Sequence, residues 1–357
     1  MCYNFFGDIM NIRTNTKAVK IGNLYIGGQN KIIIQSMTNT KTKDINATVL
    51  QIKALEEVGC EIIRVAVFDM DDANAISKIK EQINIPIVAD IHFDPNLAIA
   101  AIKAGADKIR LNPGNIKNKQ KISEIVSLCK ERSIPIRIGV NSGSLPDGME
   151  PTAQNMIKAA KMHISILEEL EFYNIVLSLK ASSIDLSYEA YLLASKEFSY
   201  PLHVGITEAG TTLKGVIKST IGLTKILSLG IGDTIRVSLT DDPVNEVIAA
   251  KEILLGLHLK DNVPTFTSCP TCGRCQYDMI PIANEIEKYL NKINANIHVA
   301  VMGCAVNGPG EAREADLGVA GGNGEAILFK KGQIIRKIKE ADVVSEMIKE
   351  IDLLINN

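Results

Sequence analysis

The chain has 357 residues, 46% hydrophobic and 22% charged, with 39 basic and 41 acidic side chains and a net charge of −2. That length exceeds one ordinary core, so two domains are expected, and the balanced charge gives no bulk attraction to nucleic acid or to an anionic membrane. Seven unevenly clustered cysteines argue against a disulfide framework, and no apolar run approaches the ~20 residues of a bilayer span. Residues 1–10 lack the basic and apolar regions of a secretory signal, Met10 is a second candidate start, and a cytoplasmic protein is expected.

Residues 18–30 read as a short hairpin turning at Gly22-Asn23. Short β-branched runs then recur at Ile32–Met37, Glu61–Val67, Ile85–Asp90, Lys108–Leu111, Ile134–Val140, Asn174–Leu179, Pro201–Ile206 and Thr234–Leu239. Each precedes a longer segment with helical apolar spacing; in 47–58, Val49, Ile52, Leu55 and Val58 share one face. Eight strands alternating with eight helices over roughly 230 residues is the count of a (β/α)8 TIM barrel. A doubly wound open sheet is the alternative, but eight units in one run favour closure. No Gly-x-Gly-x-x-Gly follows the first strand to suggest a dinucleotide site.

Asp261 to Thr267 reads as a linker, so residues 1–262 form the barrel domain and 263–357 a small α+β domain. The second domain is expected to hold a helix at Pro281–Asn291, a strand at Ile297–Met302, a hairpin turning at Gly321–Gly324 and a closing helix at Asp342–Leu354.

In a barrel the chemistry sits where strands end. Gln35 and Ser36 end the first run, Arg64 lies in the second, and Asp90 and His92 close the third. Arg110 and Asn112 share a face of the fourth. Arg137 and Asn141 mark the fifth, Ser178 and Lys180 the sixth, His203, Thr207 and Glu208 the seventh, and Arg236 and Ser238 the eighth. Arg64, Arg110, Arg137, Lys180 and Arg236 thus put cations on five strands, while the acids in view are chiefly Asp90 and Glu208. Rim salt bridges would explain any one of them. For all five, an anion with two or more phosphates is the better account, because unpaired charge in a barrel mouth is costly and guanidiniums match phosphate oxygens. His92 and His203 read as hydrogen-bonding residues rather than metal ligands.

Four cysteines lie between 269 and 304, as Cys269-Pro-Thr-Cys272-Gly-Arg-Cys275 and, after a helical interval, Gly303-Cys304-Ala-Val-Asn307-Gly-Pro-Gly-Glu311. Two residues between thiols let a turn aim both sulfurs at one centre, the pattern of an iron–sulfur cluster or zinc. Spacing alone makes Cys275 the fourth ligand.

Cys269-Pro-Thr-Cys272-Gly-Arg, the Gly303–Glu311 loop, Gln35-Ser-Met-Thr-Asn-Thr40, Arg110-Leu-Asn-Pro-Gly-Asn115 and Gly205-Ile-Thr-Glu-Ala-Gly210 together resemble the 4-hydroxy-3-methylbut-2-enyl diphosphate synthase family, along the whole chain. The resemblance implies a barrel followed by a [4Fe-4S] domain. It implies two-electron reductive ring opening of 2-C-methyl-D-erythritol 2,4-cyclodiphosphate with loss of water, on the methylerythritol phosphate route to isoprenoids. The implied cluster ligands are Cys269, Cys272, Cys304 and Glu311, which leaves Cys275 outside and conflicts with the spacing argument. A carboxylate at that position is replaceable by a substrate oxygen, whereas a fourth thiolate would close it. The resemblance further implies that the cations, with Asn112, Asn141, Ser178, Thr207, Ser238 and His203, hold the substrate. Glu208 and Asn307 then lie near the reacting carbons, flavodoxin or ferredoxin donates electrons, and the chain forms a homodimer. Two other readings stand beside it: a barrel enzyme with a structural zinc ribbon on the four cysteines, and a non-catalytic iron–sulfur redox sensor.

Overall fold

The computed structural model describes residues 16–275 and 277–356; the expectations for residues 1–10 lie outside these. The chain divides into two compact units that part between Leu259 and Lys260.

The first unit opens with an antiparallel hairpin, β1 (Val19–Ile21) and β2 (Leu24–Ile26), turning at Gly22 with φ +57°. Eight parallel strands follow, each with a helix behind it: β3 (Ile33–Met37), α1 (Ile45–Glu57), β4 (Ile62–Ala66), α2 (Met70–Lys80), β5 (Ile87–Asp90), α3 (Pro95–Lys103), β6 (Lys108–Arg110) and α4 (Lys119–Glu131). The series continues through β7 (Ile136–Asn141), α5 (Ala153–Glu169), β8 (Ile175–Lys180), α6 (Ile184–Glu197), β9 (His203–Val204), α7 (Thr212–Leu227), β10 (Thr234–Ile235) and α8 (Pro243–Gly256). The sheet runs β8-β7-β6-β5-β4-β3-β10-β9, and a parallel bridge between Leu177 and Leu202 joins its two ends into a barrel. The runs expected at 201–206 and 234–239 keep only two ladder residues each. Beyond them Thr207, Arg236 and Ser238 still reach the barrel mouth, with the Thr207 N–H donating to the Ala181 carbonyl and the Arg236 N–H to the Val204 carbonyl.

Helix starts follow local chemistry. Asp44, Asp94 with Pro95, Asn118, Thr152, Ser183 and Asp242 with Pro243 each accept a first-turn backbone N–H, and Asp69 and Asp72 form a capping box. Val49, Ile52 and Leu55 face the sheet as their spacing requires. At the N-terminal end of the barrel, Val19, Ile21 and Ile26 of the hairpin pack on Ile33, Ile62, Val88 and Val176. That end is an apolar seal, which leaves the opposite mouth for polar side chains.

The second unit is a five-stranded sheet in the order β11 (Thr265–Ser268), β12 (His298–Met302), β13 (Leu317–Gly321), β14 (Glu325–Lys330), β15 (Gln333–Lys339). The first three strands are parallel and the last pairs antiparallel. Helices α9 (Met279–Leu290) and α11 (Val343–Ile355) cover one face, and a one-turn helix, α10 (Gly308–Glu311), follows β12. Two expectations change. Thr265–Thr267 is not linker but part of β11, held by its ladder to β12; β15 and its turn at Lys331-Gly332, both with positive φ, add an edge strand.

Candidate active site

Parallel strands bring their C-terminal ends to one mouth. There, side chains from β4, β6, β7 and β8 and from the segments after β9 and β10 enclose a cavity of about 90 Å³. Arg64, Arg110, Arg137, Gly139, Asn141, Ser178, Lys180, Thr207, Arg236 and Ser238 line it. The strand period of two puts Ser178 and Lys180 of β8 on the same inner face, and Arg236 and Ser238 line the cavity from the segment after β10. Pairing aligns Asp90, Arg110 and Arg137 in one row across β5, β6 and β7. Gly205 makes room for the lysine head: a Cβ there would lie 2.5 Å from the Arg236 carbonyl oxygen and 3.0 Å from Lys180 Nζ.

Two carboxylates balance part of this charge. Asp90 stands 3.7 Å from Arg64 and 3.6 Å from Arg110. Burial raises its pKa, but Arg64, His92 and Arg110 outweigh that and hold it below the usual carboxylate range. Glu246, in the first turn of α8, pairs with Arg236 at 3.3 Å and accepts from Ser36 Oγ at 3.1 Å and the Leu239 N–H at 2.9 Å. Among the described residues no ion pair reaches Arg137, which is 2% exposed with an unpartnered Nε, or Lys180, which is 7% exposed. Arg64 donates to the Met37 thioether at 2.8 and 3.0 Å, a weak acceptor for a guanidinium. Burial pushes Arg64 down to about 10 against the pull of Asp90. Burial, then Arg236 and Arg137, push Lys180 well below the ordinary lysine value. A guanidinium keeps its proton even so. The cavity therefore carries unbalanced positive charge and under-satisfied donors, which multiple phosphate oxygens would satisfy.

The remaining sequence candidates are placed differently. Asn112 clamps Gly139, donating to its carbonyl at 2.8 Å and accepting its N–H at 2.9 Å, so it positions β7 instead of lining the cavity. His203 is fully buried, with Nδ1 2.7 Å from Thr234 Oγ1, and does not line it either; burial and then Lys180 hold it well below the ordinary histidine value. His92 bridges, with Nδ1 2.9 Å from Arg110 Nη1 and Nε2 3.7 Å from Asp90. Glu208 is exposed in the loop after β9 at φ +52°, a left-handed conformation that costs a non-glycine residue roughly 1–2 kcal/mol. The acid that neutralises Arg236 is Glu246, which strand-end reasoning missed. Its only signal was an acidic residue one turn past Pro243.

The thiols converge through sheet topology. β11 and β12 are neighbouring parallel strands, so Cys269 and Gly303, the residues following their ends, lie side by side, and the Gly303 N–H points at Cys269 Sγ at 3.1 Å. Cys272 is exposed and Cys304 partly so, on adjoining loops. The Arg274 backbone N–H, then its guanidinium, hold the Cys272 thiol below its ordinary pKa, and Arg274 also feels the charges of Cys304 and Glu311. Asn307 Nδ2 reaches Glu311 Oε1 at 3.5 Å. By contrast, burial raises the Cys60 and Cys129 thiols, isolated in the barrel core, to about 12. Among the described residues no three His, Cys, Asp or Glu side chains close around a single ion.

Two family models match the chain, the GcpE TIM-barrel domain over residues 16–251 and the GcpE protein C-terminal domain over residues 265–353. The chain belongs to the GcpE family. Its GcpE relatives include proteins from Bacillus mycoides, 56% identical over 97% of this chain and 96% of theirs, and from Exiguobacterium sp., 57% identical over 96% and 93%. A third, from Halalkalibacterium halodurans, is 56% identical over 95% and 94%. All three bear the name 4-hydroxy-3-methylbut-2-en-1-yl diphosphate synthase (flavodoxin). Among solved structures, dihydropteroate synthase from Xanthomonas albilineans superposes with a TM-score of 0.51 at 14% identity, over 68% of this chain and 97% of its own. That likeness concerns the barrel fold alone. The GcpE assignment and the closed eight-stranded sheet agree with the (β/α)8 reading.

Proposed function

We infer that this GcpE protein is an oxidoreductase that opens 2-C-methyl-D-erythritol 2,4-cyclodiphosphate reductively to 4-hydroxy-3-methylbut-2-enyl diphosphate. The observation that carries this reading is the cationic cavity in which Arg137 and Lys180 are buried with no ion-pairing carboxylate among the described residues. In this reading Arg64, Arg110, Arg137, Lys180 and Arg236 take the diphosphate oxygens, displacing the roughly three waters that such a volume holds. Asn141, Ser178, Thr207 and Ser238 donate to the oxygens that remain.

The overall change consumes two electrons and two protons and releases one water, so the chain must supply a redox group and an acid. Cys269, Cys272, Cys304 and Glu311 suit a [4Fe-4S] cluster: three soft thiol donors on loops hung from adjacent strand ends, and one hard carboxylate. When bound, the cluster supplies the electrons and a Lewis-acidic iron. Glu208, held in a left-handed conformation beside Thr207, delivers a proton. Asn307, by resemblance, is a second polar contact to the substrate. Flavodoxin, which the relatives' names include, is the electron donor in this reading, and the chain works as a cytoplasmic homodimer.

The test is anaerobic reconstitution followed by iron and sulfide counts and then turnover with reduced flavodoxin, the cyclic diphosphate being followed by phosphorus NMR. Conversion of its signals to those of an open-chain diphosphate is expected. Zinc without iron would favour the structural ribbon, and iron-loaded protein without conversion the sensor.

A further inference from the structure

Of the four clustered cysteines, Cys275 is the one that the proposed ligand set leaves unused, yet it is not placed at random. Its sulfur lies 3.3 Å from the point a Gly303 Cβ would occupy, and the Cys269 sulfur lies 3.1 Å from that same point. Both side chains are partly buried against one hydrophobic cluster, whereas Cys272 is exposed and turned toward Arg274. Cys275 is fastened there by a turn, its N–H donating to the Cys272 carbonyl at 2.9 Å, and by a contact from its own Sγ to the Tyr277 carbonyl at 3.3 Å. Gly303, without a side chain, leaves the gap between the two sulfurs open.

We propose that Cys275 is an oxidative modification site, a resolving thiol that captures Cys269 in a disulfide when the cluster is lost. The proposal rests on the cluster reading above. Its oxidant is a hydroperoxide such as hydrogen peroxide. The freed Cys269 sulfur attacks one peroxide oxygen; an S–O bond forms, the O–O bond breaks and water departs, leaving a sulfenic acid. The Cys275 sulfur then attacks the Cys269 sulfur; an S–S bond forms, the S–O bond breaks and a second water leaves. Two thiols and one peroxide thus become one disulfide and two waters. The ligand is stored in a form that a dithiol reductant restores, out of reach of irreversible oxidation to sulfinic and sulfonic acids.

The experiment uses the full chain reconstituted anaerobically, with iron and sulfide counted first. Hydrogen peroxide is titrated in, bleaching is followed in the visible, free thiols are alkylated, and peptides are mapped by mass spectrometry without reduction. A Cys269–Cys275 cross-linked peptide, two hydrogens lighter than its parts, is expected as the main product. Dithiothreitol with iron and sulfide should then rebuild the cluster. In Cys275→Ser and Cys275→Ala, starting iron should match the parent, Cys269 should instead accumulate sulfinic and sulfonic acid, and recovery should fall several-fold. Cross-linking through Cys272, no cross-link, or equal recovery in both variants would overturn the proposal. A starting preparation that takes up no iron and sulfide would instead overturn the cluster reading, and this proposal with it.

Discussion

At the barrel mouth every cation leaves from a strand or from the residue just past one, and Arg137 and Lys180 are buried. At the proposed cluster ligands the arrangement is reversed: Cys272 and Glu311 are exposed, and the four residues sit on turns and a single helical turn after β11 and β12. A strand-borne site is held by the ladder and by neighbours such as Asp90 and Glu246, so it stands ready without its ligand. A loop-borne donor set gains its final geometry from the metal, because binding free energy and local folding are then one quantity. The barrel site should therefore tolerate loss of the cluster, whereas the loop site should not tolerate loss of a donor.

The largest effect tests that independence. Cys269→Ser, Cys272→Ser and Cys304→Ser should each abolish stable iron incorporation, while calorimetric binding of inorganic pyrophosphate by the barrel stays at the parent value. Loss of both together would mean that the two sites are not separately built. Glu311→Cys should keep or strengthen iron retention and lose turnover, because thiolate is a better donor to iron–sulfide clusters than carboxylate. Full turnover in that variant would remove Glu311 from the ligand set.

Glu208 comes next. Glu208→Gln preserves shape and hydrogen-bonding reach but holds no transferable proton, so turnover should fall by about 10²–10⁴. Substrate affinity and thermal unfolding should be little changed, since Glu208 is exposed and makes no ion pair among the described residues. A parallel drop in stability would mark the residue as structural.

What the sequence revealed follows from which signals are local. Val49, Ile52 and Leu55 announce a helix by spacing, and Ser178 with Lys180 announce a shared face by their separation of two; nine cavity-lining side chains were legible in this way. Glu246 was not, because its partner Arg236 meets it only after α8 packs back against β3, the neighbour of β10. Nothing local in the sequence marks Met37 as the acceptor for Arg64. Asn112 keeps the right face but spends its amide on Gly139, a cross-strand contact that periodicity does not encode. β11 escaped because Pro264 precedes four residues that are mostly exposed, and β15 because Ile334 and Ile335 break alternation on a lysine-bearing edge.

On the barrel side, Arg137→Met should weaken binding of the cyclic diphosphate by about 2–5 kcal/mol, the range for truncating one member of a desolvated charge pair. Iron content should be unchanged. Unaltered affinity would make Arg137 a structural cation and would blur the contrast between a preformed and an assembled site.

The smallest effect is the most diagnostic of preformation. In the free cavity, burial, Arg236, Arg137 and Arg64 hold Lys180 well below its ordinary pKa, while the unfolded chain keeps a lysine near about 10.4. Between those two values the unfolded state binds more protons, so this group's contribution to stability rises with pH across the window and falls on acidification. A bound diphosphate reverses the local field and favours the ammonium. Each phosphorus of the cyclic substrate carries one strongly acidic hydroxyl, so the ligand itself does not titrate near neutrality. Binding at a pH above the free-site value should then take up a proton, and affinity should decline as pH rises. Calorimetry with the oxidised enzyme in two buffers of different ionisation enthalpy reads this directly. Lys180→Met should abolish the uptake. Uptake that persists in Lys180→Met but vanishes in His203→Asn would assign the proton to the buried imidazole, whose pKa is also lowered by burial and by Lys180. No uptake in the parent would mean that the cavity holds Lys180 charged before substrate arrives.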